Sequence, residues 1–352
     1  MSALAHRILS VLVAVQSFGF SHAQSMKGLF ESEGVLNLTL SGDIRELMQE
    51  RDTDAGYHAM TLSYSDNGAT NVVPLRARVR GHFRRMKGNC TYPPLLLNFS
   101  DSSNLAMFDG LDKIKLVTPC RGEKYVVNEY LVYKLYNLVT DKSLKARLAK
   151  VVYHDTIKNK STEPLFGILL EEDDALARRQ NNVLIEKKSV RPEQTNRQDF
   201  LKMSVFEYLI GNTDWSVQYL QNIKLIAGDS SAIPTTVAYD FDHAGIVRAP
   251  YAKPAEELAL SSTIIRRYRG YCVEDMAVFN DVFTLFNDLK PKIYDVYTSC
   301  AFLDPSYKKM TVKYLDDFYD TINDPKRAAT AFLYPCEKDG TGNVVIKGLR
   351  EN

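Results

Sequence analysis

The chain has 352 residues, and its 44 Lys and Arg nearly balance its 43 Asp and Glu, which gives a formal net charge of +1. A nearly neutral protein has no global field that attracts polyanions, so the composition argues against nucleic acid as a partner. The length is sufficient for one large two-lobed domain or for two domains of ordinary size.

The N-terminus has the pattern of a secretory signal peptide. Arg7 gives a weakly positive start, residues 8–20 form an apolar run, and Ser21 and Ala23 place small residues at the cleavage positions. The run is too short to span a bilayer, and no other segment is long and apolar enough to do so. We therefore expect residues 1–23 to be removed and the mature chain to be exported to the periplasm, envelope or extracellular space.

Residues 24–171 are predicted to form a β-rich lobe. Apolar alternation and turn signals predict strands over 35–40, 58–64, 72–83, 92–99, 113–117, 147–153 and 165–170, and a helix over 124–139. In the third strand Arg76, Arg78 and Arg80 share one face. That face is typical either of an anion-binding surface or of an edge strand protected by charge.

Five cysteines follow the expected cleavage site: Cys90, Cys120, Cys272, Cys300 and Cys336. Export favours disulfides, and the odd count leaves at least one thiol free or paired between chains. Because Cys90 and Cys120 both flank strands of the same lobe, we predict that they pair.

Residues 172–352 are predicted to form a mainly helical lobe that begins at the acidic turn 171–174. Helices are expected over 197–210, 274–289, 290–298 and 310–322. The predicted fold class is therefore α+β, with a β-rich lobe followed by a helical lobe.

The stretch from residue 209 to residue 247 carries the polar side chains of phosphoryl transfer. Asp214 ends a helix, Asn222 enters a strand, and Asp240 and Asp242 follow a second strand. One carboxylate can orient an attacking hydroxyl, while an amide and a second carboxylate can hold Mg²⁺ on nucleotide phosphates. Each residue alone is typical of a turn, but the ordered set predicts a site for metal and nucleotide.

Phosphoryl transfer also requires a cation on the phosphates and a carboxylate that holds the cation in place. Lys115 on a strand and Glu129 on the next helix suit these roles, and Lys113 on the same strand face is an alternative to Lys115. Glu129 lies within an apolar stripe, which favours a buried partner. We predict an ion pair between Lys115 and Glu129.

These motifs resemble those of the CotH-like spore-coat kinase family, which belongs to the atypical protein-kinase-like folds. The resemblance is carried by residues 78–81, 113–115, 128–135, 212–214 and 240–242, and residues 210–214 are also similar to a loop of HipA-type and secreted Fam20-type kinases. It implies a two-lobed protein-kinase-like fold and the cofactors ATP and Mg²⁺. It also implies these roles: Asp214 as the catalytic residue, Asn222 and Asp240 at the metal, and Lys115 with Glu129 as the ion pair. Asp242 is a further predicted metal ligand, with Asp240 the better of the two because it directly ends the apolar strand.

Two features depart from the kinase pattern. Asn222 follows Asp214 by eight residues, a longer spacing than in protein kinases, so Gln218 or Gln221 is an alternative amide ligand. No glycine-rich phosphate loop is present around Gly81. Arg78 and Arg80 are predicted to bind the phosphates in its place.

Three functions are compatible with these residues. The first is an exported kinase that phosphorylates a protein or another hydroxyl-bearing acceptor, and retention of the whole set favours it. The second is a non-catalytic kinase-like binding module of the cell envelope, which the scarcity of ATP outside the cytoplasm favours. The third is a hydrolase with a metal on Asp240, Asp242 and His243, although no second cluster in the sequence completes such a site.

Overall fold

The computed structural model describes residues 28–66, 68–99 and 106–333. The expected signal peptide and Cys336 lie outside these ranges. Among the helices of the described ranges, none combines the length and the apolar character needed to cross a membrane.

Seven strands of the first half close into a barrel. In chain order the strands are β1 (Leu36–Gly42), β2 (His58–Asp66), β3 (Ala69–Val79), β4 (Leu95–Asn98), β5 (Lys113–Val117), β6 (Ala146–Asp155), the two-residue β7 (Lys160–Ser161), which extends the edge of β6, and β8 (Leu165–Glu171). The order around the ring is β1-β2-β3-β4-β5-β8-β6, and β6 pairs again with β1. This last pairing is parallel, from Leu36 beside Ala149 to Gly42 beside Asp155, whereas all the others are antiparallel. Alternate strand residues fill the interior, including Leu62, Leu97 and Ile114.

Two helices accompany the barrel, namely α1 (Ile44–Gln49) and α2 (Glu123–Val139). The long helix α2 packs on the outer wall formed by β6 and β8 and also contacts the helices of the second half. Its buried residues, from Val126 to Val139, lie on all sides of the helix because both neighbours cover it. The helix therefore lies between the two halves of the molecule.

The second half is mainly helical and includes one small sheet. Its elements are α3 (Asp173–Arg179), β9 (Val183–Leu184), α4 (Arg197–Ile210), β10 (Ile223–Ala227), β11 (Thr235–Ala238), α5 (Asn280–Thr298), α6 (Pro305–Asn323) and α7 (Pro325–Phe332). The three strands form an antiparallel sheet in the order β11-β10-β9. Helix α4 begins at Asn196, whose side chain accepts from Asp199 N–H, and ends at Gly211 in the left-handed conformation (φ 69°).

The molecule thus has a β-rich first half and a helical second half, as the sequence predicted. One helix assignment was wrong, because residues 280–298 form the single helix α5 with Pro291 inside it. Val282, Phe286, Ile293 and Tyr297 are buried along one continuous stripe of this helix, and that packing outweighs the break expected at proline. Helices α1, α3 and α7 and strands β7 and β9 were not predicted.

The predicted disulfide between Cys90 and Cys120 is confirmed, with their Cα atoms 4.8 Å apart. Cys272 is also disulfide-bonded. Cys300 is a free, half-buried thiol.

Candidate functional site

A cavity of about 570 Å³ lies between the barrel and the second half of the chain. Five of the residues proposed from the sequence line it, namely Arg80, Asp214, Asn222, Asp240 and Asp242. The barrel contributes the segment from Arg80 to Arg84, and the second half contributes the loops after α4 and β11. The polar residues predicted to converge are therefore brought together.

The loop that carries Asp214 is fixed by hydrogen bonds to its backbone. The Asn212 side chain accepts from the N–H of Asp214 at 3.0 Å. Arg269, which is buried, donates to the carbonyl oxygens of Thr213, at 2.6 Å, and of Trp215. These contacts hold the residues on both sides of Asp214, so the position of its side chain is set before any ligand binds.

The Asp214 carboxylate faces two amides and one imidazole. Asn222 Nδ2 donates to the backbone oxygen of Asp214 at 2.6 Å and to its Oδ2 at 3.1 Å, and Gln221 Nε2 donates to Oδ1. His243 Nδ1 lies 3.8 Å from Oδ2. Burial raises the pKa of Asp214, against the opposing effect of His243.

The long spacing between Asp214 and Asn222 is accommodated by a tight loop. Ser216 and Gln221 form an isolated antiparallel bridge, and Leu220 and Asn222 adopt left-handed backbone conformations with φ of 52° and 51°. Because the side chain of Asn222 uses Nδ2 on Asp214, its Oδ1 remains available as a cation ligand. Gln221 is engaged at Asp214 in the same way, so it remains an alternative amide ligand.

Asp240 and Asp242 have different surroundings although they are two residues apart. The N–H of Asp240 donates to the Tyr133 hydroxyl of α2 at 2.9 Å, and its φ is 61°. Burial, followed by repulsion from Asp242, raises the pKa of Asp240 to about 6, and no described residue hydrogen-bonds to its carboxylate. Burial alone would raise the pKa of Asp242, but Arg84 and then His243 lower it.

Arg84 lines the cavity and joins two carboxylates. Its Nη2 lies 2.7 Å from Glu129 Oε2 and 2.9 Å from Asp242 Oδ2, and its Nε donates to the same Asp242 oxygen at 3.0 Å. All three side chains are buried. Arg84 therefore connects α2 to the loop that carries Asp240 and Asp242.

The predicted ion pair between Lys115 and Glu129 is wrong. Lys115 Nζ instead forms a salt bridge with Asp173 Oδ1 at the start of α3, and Asp173 Oδ2 lies 3.0 Å from Lys224 Nζ. Glu129 pairs with Arg84 rather than with either strand lysine. The guanidinium of Arg84 is planar and presents several donors, so it can bridge two carboxylates where an ammonium offers a single point charge.

Strand β3 ends at Val79, before the predicted residue 83, and the three arginines at and just after its end separate into two groups. Arg80 lines the cavity, whereas the guanidinium carbons of Arg76 and Arg78 lie 5.5 Å and 5.1 Å from the centroid of the Tyr57 ring. The structure therefore places Arg78 away from the residues that line the cavity. Lys188, which was not predicted, lines the cavity and adds a second cation.

Three polar side chains of α2 support the site, and only one of them, Glu129, was assigned a role from the sequence. Asn128 Nδ2 donates to the Val247 carbonyl at 3.0 Å, Glu129 acts through Arg84, and Tyr133 receives the N–H of Asp240. All three are buried. A signal was present in the sequence, because polar groups in an otherwise apolar helix require buried partners.

The donor set fits a magnesium ion held partly by a nucleotide. The described residues contain no group of three or more His, Cys, Asp or Glu arranged to hold a metal, which leaves the hydrolase interpretation without support. In nucleotide sites, Mg²⁺ takes one or two protein oxygens and completes its shell with phosphate oxygens and water. The Asp240 carboxylate, which accepts no hydrogen bond from a described residue, and Oδ1 of Asn222 are oxygen ligands of that kind.

Among known proteins, the chain shows weak similarity to a solved structure. No protein-family model and no curated protein matches the chain. Among solved structures, the chain is similar to the Helicobacter pylori proinflammatory kinase CtkA, with a TM-score of 0.42 and 11% sequence identity, covering 72% of this chain and 96% of that chain. A similarity this low does not indicate an activity for this chain.

Proposed function

We propose that this protein is an exported atypical kinase of two-lobed, protein-kinase-like architecture, related to the CotH-like family. It transfers phosphate from ATP, with Mg²⁺, to a protein or to another hydroxyl-bearing acceptor. The observation that supports this most strongly is the contrast between two half-buried carboxylates in one cavity. Asp214 is oriented by two amides, whereas Asp240 has no described hydrogen-bond donor on its carboxylate.

Each side chain has a role in this proposal. Asp214 orients the acceptor hydroxyl and receives its proton, and Asn222 and Asp240 provide oxygens for Mg²⁺. When bound, the metal ion neutralises charge on the phosphates. Arg80 and Lys188 are the cations positioned to contact phosphate oxygens, in place of a glycine-rich loop.

Arg84 acts on the site through Asp242. By holding Asp242 in a salt bridge, it positions the backbone from which Asp240 projects. Preorganised charges of this kind stabilise a transition state without rearranging during the reaction. Asp242, predicted as a metal ligand, is held at Oδ2 by Arg84, and the Tyr251 hydroxyl also hydrogen-bonds its carboxylate. Asp240 is therefore the more available of the two carboxylates for Mg²⁺.

A non-catalytic nucleotide-binding module is the second candidate. It is favoured by the salt bridge between Lys115 and Asp173, which keeps this lysine away from Glu129. Export is part of the proposal for either function, and the disulfide between Cys90 and Cys120 supports it.

Calorimetry with ATP, in the presence and absence of Mg²⁺, followed by mass spectrometry of acceptor proteins, tests the proposal. We expect Asp240→Asn to remove Mg²⁺-dependent binding. Asp214→Asn should retain binding and slow transfer by at least about 100-fold. Asp288→Asn makes the same chemical change at an exposed position on α5 and serves as the control.

Three results would decide between the candidates. Unchanged transfer by Asp214→Asn would remove its catalytic role. Binding without transfer in the wild type would favour the non-catalytic module, and the absence of both would refute the proposed kinase. A mass increase equal to AMP would show transfer of nucleotide instead of phosphate.

A further inference from the structure

A second depression, of about 630 Å³, lies on the surface of the barrel beside the disulfide. Its lining includes three cationic side chains, Arg51, Lys87 and Arg121, and no Asp or Glu. Glu50 precedes Arg51 in the chain, but its carboxylate accepts from the Gly56 N–H and contacts His58. The depression is therefore positively charged, although the whole chain is nearly neutral.

Two of the three cations of this basic depression, Arg51 and Arg121, are held by backbone carbonyls without being neutralised. Arg51 donates from Nη1 to the Cys90 carbonyl and from Nη2 to the Thr91 carbonyl, both at 2.8 Å. Arg121 Nη2 donates to the Gly88 carbonyl at 3.2 Å. Within the described residues, no carboxylate forms a salt bridge with any of the three cations. The disulfide ties the backbone segments that carry Lys87 and Arg121, so the three positions stay close to one another.

The basic depression adjoins the cavity through two short pieces of chain. Arg84 lines the cavity and Lys87 is three residues later, while Val117 lines the cavity and Arg121 is four residues later. A chain extends at most about 3.5 Å per residue, so each cation lies within roughly 10–14 Å of the cavity wall along the backbone. An extended polypeptide with its hydroxyl at Asp214 could reach the cations with side chains a few positions away.

We propose that the basic depression binds acidic side chains of a polypeptide acceptor and positions that acceptor for phosphorylation. The proposal rests on the kinase function proposed above. A volume of about 630 Å³ is that of a pocket for a sizeable ligand, larger than a single phosphate requires. It suits several carboxylates spaced along a chain. Fixed cations gain affinity for such a ligand because little side-chain freedom is lost on binding.

The test is peptide binding without nucleotide, measured by fluorescence anisotropy at low ionic strength. The probes are a labelled peptide with one serine followed by glutamates, and the same peptide with glutamines. We expect the glutamate peptide to bind more tightly than the glutamine peptide. Lys87→Glu with Arg121→Glu should weaken binding of the glutamate peptide by about tenfold. The control pair, Lys292→Glu with Lys309→Glu, makes the same charge change at exposed positions of α5 and α6.

The outcomes separate this inference from the proposed kinase function. The docking proposal would be overturned by equal affinity for the two peptides. It would also be overturned if the control pair lowered the affinity for the glutamate peptide as much as Lys87→Glu with Arg121→Glu does. Displacement of the peptide by ATP would place it in the cavity, and displacement by millimolar inorganic phosphate would indicate a simple anion site; either result would also overturn it. Lys87→Gln with Arg121→Gln should also lower the affinity for the glutamate peptide, but by less than the two substitutions to glutamate. Charge-dependent peptide binding by a wild type that transfers no phosphate would support the docking surface and refute the kinase.

Discussion

At the scale of single residues, Asp240 is the clearest example of a position where function and stability conflict. Its half-buried carboxylate lies next to Asp242. Desolvation and repulsion from Asp242 raise the pKa of Asp240 to about 6, so folding disfavours its charged form. Such an arrangement persists where a ligand supplies the missing positive charge. The left-handed conformation of Asp240, with φ of 61°, is a second strained feature at the same residue.

Asp240→Asn is therefore expected to stabilise the protein while it removes Mg²⁺-dependent nucleotide binding. Asparagine fits the same space, tolerates the left-handed conformation and carries no charge to repel Asp242. We expect the free energy of unfolding at neutral pH to rise by about 1–2 kcal/mol in the absence of ligand. Urea unfolding measures this change. A loss of stability comparable to that of a core substitution would contradict it.

The stabilisation by Asp240→Asn should also depend on pH. The pKa of Asp240 is raised from 3.8 to about 6, so in this interval the folded state binds more protons than the unfolded state. The unfavourable contribution of this group is absent below the unfolded pKa and complete above the folded pKa. The stability difference between variant and wild type should therefore grow as pH rises from about 4 to about 6 and then level off. A difference that is constant over this range would show that Asp240 does not titrate there.

At the scale of secondary structure, α2 organises the site through Asn128, Glu129 and Tyr133. Its extent was predicted from residue 124 to residue 139 and observed from Glu123 to Val139, because a helix follows local periodicity. Its ion-pair partner could not be predicted in the same way. Arg84 and Lys115 both lie in the barrel sequence, and only the path of the turn after β3 brings Arg84 to Glu129.

Arg84→Met should destabilise the protein by about 3 kcal/mol or more, because it leaves Glu129 and Asp242 buried without a counter-charge. The neighbouring Arg85 is half-buried and bonds only backbone oxygens in the described structure, so Arg85→Met is the matched control and should cost about 1 kcal/mol or less. Chemical denaturation measures both.

A double-mutant cycle provides the decisive comparison for Arg84. Adding Glu129→Gln to Arg84→Met should recover part of the lost stability, since one of the two uncompensated charges is then removed. Strictly additive effects would indicate that Arg84 and Glu129 do not form an energetically coupled pair.

At the scale of the whole molecule, the disulfide between Cys90 and Cys120 closes a loop that contains β4 and β5 and borders the basic depression. The two cysteines are 30 residues apart, and a loop of this length corresponds to about 3–4 kcal/mol in the chain-entropy model. We expect Cys90→Ala with Cys120→Ala to lower the free energy of unfolding by about that amount. An equally stable double variant would show that the unfolded state is already restricted in this region.

The sequence predicted the strands of the first half more successfully than their arrangement. The strands of the barrel each had an alternating or apolar pattern, so their positions could be predicted locally. The parallel pairing of β1 with β6 could not, because nothing in residues 36–42 indicates a partner at residues 149–155. The polar site was predictable for a related reason, since Asp214, Asn222 and Asp240 lie at the ends of elements that are adjacent in the chain.

The pairing of β1 with β6 also has a consequence for how the chain acquires its structure. Leu36 meets Ala149, so the barrel cannot close until more than 100 intervening residues are in place. Contacts between such distant residues pay the entropy of loop closure before they contribute stability, and they slow folding. A chain that emerges N-terminus first from a ribosome or a translocation channel would therefore expose β1 as an unpaired edge until β6 follows. During that interval it would be prone to association, and a chaperone that shields the first strand would raise the yield of folded protein.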